Sequence, residues 1–417
     1  MSNRWPIVVV TGANGGVGYG ICQRLLVQLC SRQPADALPQ RYATHYDDSA
    51  DHTIPPCEGI ILIMACRNEK RAELARQKLY HFLDAHVARL QVQPDYNGYA
   101  GSFRKNVKIE IHLINLSSMQ AVFSCGDEIA RKYPYVSHLI CNAGLASFDK
   151  IHWPLFFKQL LADPIGLITA PTFNLQHAGE LSLDGLGYVW QSNLFGHYAL
   201  FRALEPIMSA SRSPLGSRVI WMSSLEANPI FWDNEQDDWQ LRRTSHSYEL
   251  SKYQIDLIAT YLDQLALRTG RPNAVRHLIA EPGVCSTNVA AAITGPLTDF
   301  IKVMLFYLGR LFGSQHHTIQ PFKAAISAVH LALVPLALVT FWVTESPSKG
   351  RYMRPPVRFG AETGRWGDER VGVTEVKQWD VHQSDAPRLL EKIDTLLREQ
   401  RSHEEEPQEF ERASDRM

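Results

Sequence analysis

The chain has 417 residues, of which 45% are hydrophobic and 20% are charged. These proportions are close to the average for globular proteins, so they exclude a largely disordered chain and a polytopic membrane protein. The 42 basic and 43 acidic residues nearly cancel, which excludes a whole-molecule attraction for nucleic acid. The seven cysteines are scattered and odd in number. This argues against a disulfide framework or a metal site and indicates a reducing compartment.

Runs of apolar residues that predict buried strands alternate with helical periodicities along the first 290 residues. The predicted strands cover residues 7–10, 60–66, 107–113, 138–141, 218–223 and 276–280. The first predicted helix follows the first strand and ends at residue 29. The other predicted helices cover residues 69–90, 118–132, 186–210 and 248–267. Apolar and polar residues alternate in the third strand, which is typical of a sheet edge. The whole pattern predicts a single α/β domain with a Rossmann-type, doubly wound parallel sheet covered by helices on both faces.

Four stretches without this alternation are predicted to be insertions. They cover residues 31–59, 93–106, 146–185 and 225–247. The first is polar and contains prolines, so we expect it to be mobile, and the second is rich in Gly and Tyr and is expected to be a loop.

Two further regions follow the core of residues 1–290: an apolar extension over residues 291–350 and a region over residues 351–417 with a charged, solvated tail. Residues 297–312 are too short to cross a bilayer and include Lys302 and Arg310, so we interpret them as an interfacial helix. Residues 324–342 either span a membrane or form a buried final helix and strand of the core, and we favour the second interpretation.

A glycine-rich turn joins the first strand to the first helix. Glycines at such a turn let the backbone bend sharply and approach a pyrophosphate, whose charge the helix N-terminus favours. Because a strand precedes the turn and a helix follows it, we predict dinucleotide binding rather than an ordinary tight turn. The sequence of the turn is Thr11-Gly12-Ala13-Asn14-Gly15-Gly16-Val17-Gly18.

Arg67 follows the second strand, and no acidic residue stands at the strand tip. A site for NAD usually presents a carboxylate there to the ribose hydroxyls, whereas the 2′-phosphate of NADP requires a cation. Arg67 therefore favours NADP. The alternative is a solvated arginine ahead of the next helix.

Polar features in four other places are expected at the same edge of the sheet, where open α/β sheets bind ligands. Tyr248 and Lys252 are four residues apart on a predicted helix, so a cation would lie beside the phenol and lower its pKa. Ser223-Ser224 ends the fifth strand, Asn142-Ala143-Gly144 follows the fourth, and Asn193 lies inside a helix, where an amide is mildly unfavourable. Each feature alone has an ordinary explanation, such as a surface pair or a turn cap. Their conjunction indicates a site.

Over residues 5–290 this set of motifs resembles the short-chain dehydrogenase/reductase family. The resemblance implies a catalytic tetrad of Asn193, Ser224, Tyr248 and Lys252. At Asn115 the chain departs from the family, which usually has an acidic residue near the adenine, although an amide can still hydrogen-bond to an amino group. The cofactor-binding residues that the resemblance implies are Thr11, Gly12, Asn14, Gly16, Val17, Gly18, Arg67, Asn115, Asn142, Ala143, Gly144, Tyr248, Lys252, Pro282, Gly283 and Thr287. It implies no metal.

Within this family, three features look like the sterol 3-keto reductases, above all the fungal enzymes of ergosterol biosynthesis, over about residues 5–350. They are the long gap between Ser224 and Tyr248, the insertion after Gly144, and the apolar stretch at residues 306–313. This resemblance implies NADPH-dependent reduction of the C-3 ketone of a sterol intermediate during C-4 demethylation. It also implies that Tyr248 donates a proton, Ser224 holds the oxygen, Lys252 assists Tyr248 and holds ribose hydroxyls, and Asn193 anchors a water.

A nearly insoluble sterol substrate implies a membrane-associated enzyme, at the cytosolic face of the endoplasmic reticulum or at lipid droplets, beside other enzymes of C-4 demethylation. The resemblance implies a homodimer through the helices that contain Asn193 and Tyr248, unless the added segments alter it. Two other functions stay open: a different membrane-associated NADP-dependent steroid or retinoid dehydrogenase, and a non-enzymatic scaffold of a sterol-synthesis complex. The insertion at residues 225–247 disfavours the first, and the intact tetrad disfavours the second. No nucleic-acid partner is expected.

Overall fold

The computed structural model describes residues 5–40, 42, 54–163, 166–169, 171, 173–211, 213–232, 238–271, 273–286, 296–343 and 356–414. These residues contain an eight-stranded sheet and a separate two-stranded hairpin. The strands are β1 (Ile7–Thr11), β2 (Ile60–Cys66), β3 (Val107–Leu113), β4 (His138–Cys141), β5 (Phe148–Ile151), β6 (Asn174–Gln176), β7 (Arg218–Met222), β8 (Arg276–Glu281), β9 (Val357–Thr363) and β10 (Glu369–Glu375).

Helices occupy most of the connections between these strands. Two of them begin at a side-chain cap, because Asn68 accepts a hydrogen bond from the Arg71 amide and Ser118 accepts one from the Ala121 amide. The helices are α1 (Gly16–Leu29), α2 (Glu69–Gln91), α3 (Tyr99–Lys105), α4 (Met119–Lys132), α5 (Trp153–Ala162), α6 (Gly166–Thr169), α7 (Tyr188–Trp190), α8 (Gly196–Ser209), α9 (Ser247–Arg268), α10 (Pro296–Leu311), α11 (Pro321–Ala324), α12 (Ile326–Leu333), α13 (Leu336–Val343), α14 (Trp379–His382) and α15 (Asp385–Ser414).

The order of strands in the large sheet is β10-β9-β8-β7-β4-β1-β2-β3. All neighbouring pairs are parallel except β9 and β10, which are antiparallel. The chain reverses its direction of travel across the sheet between β1 and β4, which is where doubly wound sheets open a binding crevice. The predicted fold class is therefore confirmed, as is the position of β3 at an edge.

The sheet separates two hydrophobic cores. In β1, Ile7 and Val9 face one core while Val8 and Val10 face the other, and each is at most 3% exposed. The β-branched, uninterrupted sequence of this strand suits burial on both faces. Helices α4, α8, α9 and α15 cover the first core, and α1, α2, α3 and α12 cover the second.

The expectation of a loop at residues 93–106 is wrong over α3. Gly98 precedes this helix with φ +81°, a left-handed conformation that glycine adopts without strain. Phe103 is fully buried in the second core, and α3 packs against α2. Packing of this one aromatic side chain stabilises a helix too short to be stable by propensity.

The insertion at residues 31–59 was expected to be mobile, and residues 41 and 43–53 lie outside the described residues. Residues 31–40 are held against the fold. Asp36 is 3% exposed, and both of its carboxylate oxygens accept hydrogen bonds from the buried Arg24 of α1. Arg24 also pairs with Glu369 of β10 at 3.0 Å, so this ion cluster joins the insertion to the far end of the chain.

The chain beyond residue 290 joins the same sheet and cores. Helix α12 is buried throughout, as the helix of the core interpretation of residues 324–342 requires, but the strand expected there is wrong, because residues 336–342 belong to helix α13. The strand that pairs in parallel with β8 is β9. The strands β9 and β10 themselves were not predicted. Among the helices of the described ranges, none combines the length and hydropathy that a bilayer crossing requires.

The predicted charged tail belongs largely to helix α15. Its first half buries Leu389, Leu390 and Ile393 in the first core. Its later turns are held at the surface, where Arg401 pairs with Asp127 of α4 at 3.2 Å. Apolar side chains at helical spacing pack this helix against α9.

We expect Ile393→Ala to lower the free energy of unfolding by about 2–5 kcal/mol, because it leaves a cavity between α15 and α9. The matched control is Val381→Ala, since Val381 is 60% exposed, and it should change stability by less than about 0.5 kcal/mol. Equilibrium urea unfolding followed by circular dichroism measures both. Equal, small effects of the two substitutions would show that α15 does not pack on the fold.

Candidate active site

The glycine-rich turn lies between β1 and α1, at the crevice where the strand order reverses. Gly12 and Gly16 have φ of +67° and +51°, so these positions favour glycine. A Cβ placed on Gly18 would lie 2.4 Å from the Gly12 carbonyl oxygen and 2.5 Å from Asn142 Nδ2. A Cβ on Gly15 would meet nothing within 4 Å. The turn is therefore closely packed at Gly18 and open at Gly15, which fits a pyrophosphate at the N-terminus of α1.

The Thr11 hydroxyl joins this turn to the end of β4. It accepts hydrogen bonds from the Asn142 and Ala143 amides, each at 2.9 Å, while Asn142 Nδ2 donates to the Thr11 carbonyl. His197 Nε2 lies 2.8 Å from the same hydroxyl, and His197 Nδ1 lies 2.9 Å from the Asn193 carbonyl oxygen. Burial lowers the pKa of His197 to about 4, so the ring is neutral and bridges two of the predicted site residues.

His197 was missed in the sequence, although it stands one helical turn after Asn193. Asn193 itself lies in a π-helical segment, Gln191–Phe195, between α7 and α8. Such segments are rare and concentrate at functional sites. The Asn193 side chain accepts from the Leu145 amide at 2.8 Å and donates to the Ser251 hydroxyl at 3.0 Å, so it connects the loop after β4 to α9. Its role as a water anchor stays a prediction.

Lys252 reaches the same place from α9. It is 5% exposed, and its Nζ donates to the Met222 carbonyl at the end of β7 at 2.8 Å. A Cβ on Gly144 would lie 3.5 Å from this Nζ and 3.3 Å from Asn193 Oδ1, so the three residues meet. Burial lowers the pKa of Lys252 to about 8, while the Asp256 carboxylate and the Cys141 thiol favour its charged form.

Tyr248 lies one turn before Lys252, whose Nζ is 5.8 Å from the centroid of the phenol ring. Burial raises the pKa of Tyr248, Glu226 and Glu249 raise it further, and a hydrogen bond from the Ser224 hydroxyl lowers it. The sequence predicted that Lys252 lowers the pKa of Tyr248, and this direction is wrong. The loss of solvation on burial dominates, while the Lys252 ammonium faces the phenol ring and donates to the Met222 carbonyl. The phenol is protonated near neutrality.

The structure brings Ser224, rather than Ser223, to Tyr248. Ser223 is 3% exposed, and its amide donates to the Ala280 carbonyl as the strand ends. Glu226, two residues further on, was missed in the sequence. Burial raises its pKa to about 8, and the neighbouring Glu249 carboxylate adds to the shift. No pattern in the sequence distinguishes this glutamate from a solvated one.

The other predicted cofactor residues lie at the carboxyl ends of the strands. Arg67 is exposed after β2, and the Asn115 side chain accepts from the Ser117 hydroxyl at 2.9 Å in the turn after β3. Gly283 follows β8 with φ +67°, and a Cβ there would lie 2.5 Å from the His316 carbonyl oxygen. Pro282 accepts a hydrogen bond at its carbonyl from the Thr318 hydroxyl. Thr287 lies outside the described residues.

A doubly wound sheet that holds a glycine cradle beside a buried Ser-Tyr-Lys group defines an NAD(P)-dependent oxidoreductase. The chain is similar to proteins named 3-keto-steroid reductase from several fungi. It is 29% identical to the 3-keto-steroid reductase erg27 of Schizosaccharomyces pombe over 94% of this chain and 96% of that protein. It is 27% identical to the 3-keto-steroid reductase erg27 of Aspergillus fumigatus over 92% of this chain and 84% of that protein.

Among solved structures, the 3-oxoacyl-[acyl-carrier protein] reductase of Brucella melitensis in complex with NAD aligns with a TM-score of 0.48. The alignment covers 81% of this chain and 94% of that one at 14% identity. No protein-family model matches the chain.

We expect Gly18→Ala to weaken NAD(P)H binding about ten-fold or more, because the new methyl group collides with backbone at Gly12 and displaces the turn. Fluorescence titration measures binding, and thermal unfolding should show a lower Tm. Gly15→Ala is the control for folding, since its methyl group enters open space and should leave the Tm unchanged. Wild-type affinity and Tm in Gly18→Ala would contradict the proposed cradle.

Proposed function

We propose that this protein is an NADPH-dependent 3-keto-steroid reductase, which reduces the C-3 ketone of sterol intermediates to the 3β-hydroxyl during C-4 demethylation in ergosterol biosynthesis. The observation that carries the proposal is the contact between Ser224 and Tyr248 above a buried Lys252. It occurs in a chain similar over nearly its whole length to relatives named 3-keto-steroid reductase.

The proposed mechanism assigns the proton to Tyr248. Bound NADPH supplies the hydride that reduces the carbonyl carbon. Ser224 holds the ketone oxygen by a hydrogen bond, and the protonated Tyr248 donates its proton to that oxygen as negative charge develops there. Lys252 is charged below a pH of about 8 and offsets the charge left on the phenolate. The raised pKa of Tyr248 suits this direction, because a proton donor must begin the reaction protonated.

We infer that NADPH is preferred over NADH. Arg67 is exposed directly after β2, where the 2′-phosphate is expected, and its cation would pair with that phosphate. The following residue, Asn68, has an amide side chain that caps α2, so no carboxylate stands directly after the arginine. The first acidic residue, Glu69, belongs to the first turn of α2.

We also propose that the protein binds a membrane surface through α10 and α5, at the cytosolic face of the endoplasmic reticulum or at lipid droplets. Helix α10 packs against α6, which follows α5 in the same insertion. A dense set of exposed apolar side chains on and beside two helices that both pack against α6 is typical of an interfacial site. They are Trp153, Phe157, Leu160, Leu161, Phe300, Ile301, Met304, Leu305, Tyr307, Leu308, Leu311 and Phe312.

The segment that contains α10 is anchored at the carboxyl end of β8, which supports this proposal. The Val284 amide donates to the His316 carbonyl, and the Ile319 amide donates to the Val284 carbonyl at 2.9 Å. The excursion that contains α10 therefore leaves and rejoins the carboxyl end of β8, next to Gly283. A sterol drawn from a bilayer at α10 would enter at the edge of the sheet that carries Ser224.

The helices expected to form a homodimer are covered within one chain. Helix α15 packs on α9, and Asp394 accepts a hydrogen bond from Tyr198 of α8 at 2.6 Å. We propose that a homodimer uses a different surface, because dimerisation through α8 and α9 would require α15 to detach from them. Other enzymes of C-4 demethylation are proposed as partners on the shared membrane.

We expect Tyr248→Phe to lower turnover of 3-ketosterols by about 10²–10⁴-fold while NADPH still binds, because only the proton donor is removed. Tyr261→Phe, on the same helix, is the matched control and should keep wild-type turnover. The assay follows NADPH and NADH oxidation with 4-methyl and 4-demethylated 3-ketosterols and with retinal. Reduction of retinal alone would favour a retinoid enzyme, and a wild-type protein without turnover would favour a scaffold.

We expect the purified protein to float with phosphatidylcholine vesicles, and the double variant Phe300→Ser, Phe312→Ser to lose most of this binding. These rings are 64% and 77% exposed, and their burial in the lipid would supply much of the affinity. Val92→Ser is the control, since Val92 is 83% exposed at the end of α2, far from the active-site edge. Equal flotation of both variants would contradict a membrane site at α10.

A further inference from the structure

The loop that carries Ser224 is held by two cations from the distant C-terminal region. Arg358 of β9 donates from Nη1 to the Ser224 carbonyl at 3.1 Å. Lys377, just after β10, donates from Nζ to the Leu225 carbonyl at 3.2 Å and to the Ala227 carbonyl at 2.9 Å. Three carbonyls of a single short loop thus receive charge-assisted hydrogen bonds, which are stronger than those between neutral groups.

Two buried carboxylates fix the position of Arg358. Its guanidinium lies 3.3 Å from Asp256 and 3.6 Å from Glu281, and all three side chains are at most 3% exposed. Charges at this depth are tolerated only when they are paired, so the guanidinium cannot swing away from the cluster. Asp256 stands one helical turn after Lys252 on α9, and Glu281 ends β8. The cluster therefore spans the elements that surround the catalytic group.

Lys377 is fixed by its main chain. The Tyr253 hydroxyl on α9 donates to the Lys377 carbonyl at 3.0 Å, which anchors the segment after β10 to the catalytic helix. The loop from Ser224 to Ala227 leaves the sheet as β7 ends, so these carbonyls have no strand partner. The Ser224 carbonyl accepts from the Ala227 amide within the loop, whereas the Leu225 and Ala227 carbonyls accept from Lys377. The Ser224 hydroxyl also accepts from the Glu226 amide at 3.2 Å, so the loop backbone sets the place of that hydroxyl.

We propose that Arg358 and Lys377 are positioning residues for ketone reduction: they hold the Ser224 loop so that its hydroxyl stays against the Tyr248 phenol. The segment after residue 356 is then part of the catalytic framework, although its cations act through Ser224 and do not reach the reacting atoms. The catalytic consequence rests on the proposed function, whereas the ordering of the loop does not.

Lys377→Met is the primary variant, because Lys377 is at the surface and its loss leaves no buried charge unpaired. We expect kcat to fall about three- to ten-fold with the KM for NADPH unchanged. The reason is that the hydrogen bonds to the Leu225 and Ala227 carbonyls are lost, and these lie in the loop and not in the cofactor site. Lys377→Arg should restore most of the rate. Arg370→Met is the matched control. Arg370 lies on β10 and pairs with Glu362 at 3.0 Å rather than with the Ser224 loop, so its loss should leave kcat unchanged.

Hydrogen–deuterium exchange of the amides at residues 224–228 tests the ordering without any substrate. Exchange there should be faster in Lys377→Met and in Arg358→Lys, which keeps a cation between the carboxylates but loses the planar fork. Arg370→Met should exchange as the wild type does. Unchanged exchange in both test variants, with the fold intact, would overturn the inference. A wild-type protein that reduces no ketone would refute the proposed function, and the exchange rates would still decide this proposal.

Discussion

The Thr11 hydroxyl, at the point where the strand order reverses, is the contact on which the rest of the site depends. It is fully buried, and its partners are the amides after β4 and the neutral His197 ring. His197 in turn contacts the carbonyl of Asn193, whose side chain leads to α9 and so to Tyr248 and Lys252. The glycine-rich turn and the pair of Tyr248 and Lys252 are therefore one connected unit. A displacement of the glycine-rich turn would therefore shift the side chains on α9, and the reverse also holds.

Burial shifts the pKa values of the two titrating partners in opposite directions. It lowers the pKa of Lys252 to about 8 and raises that of Tyr248, because in each case it disfavours the charged form. Near neutrality the phenol keeps its proton and the ammonium keeps its charge. In the proposed reaction the resting site can therefore give a proton away, and the charge left on Tyr248 would arise beside a cation already in place. This agrees with a reductase more than with an enzyme that must begin by removing a proton.

The residues that the sequence identified are those whose partners lie close along the chain or on regular elements. Strand β1 follows from its β-branched run, and the pairing of Tyr248 with Lys252 follows from helical spacing. Helix α3 could not be predicted in this way, because it depends on Phe103 packing against α2. Strand β9 was missed because it buries Arg358, which only the distant Asp256 and Glu281 make tolerable. Glu226 needed the fold to bring Glu249 beside it.

The apolar extension owes its place to the direction of β9. Because β9 runs parallel to β8, the chain must cross back over the sheet between them, and parallel crossovers are usually helical. Helix α12 makes that return while buried against the sheet, so it cannot also serve as a lipid anchor. Helix α10, in contrast, belongs to an excursion whose two ends meet at Val284, outside the carboxyl end of β8. One connection therefore supplies both a core helix and an exposed apolar helix, and the exposed one is the helix on which the proposed route of the ketone into the site depends.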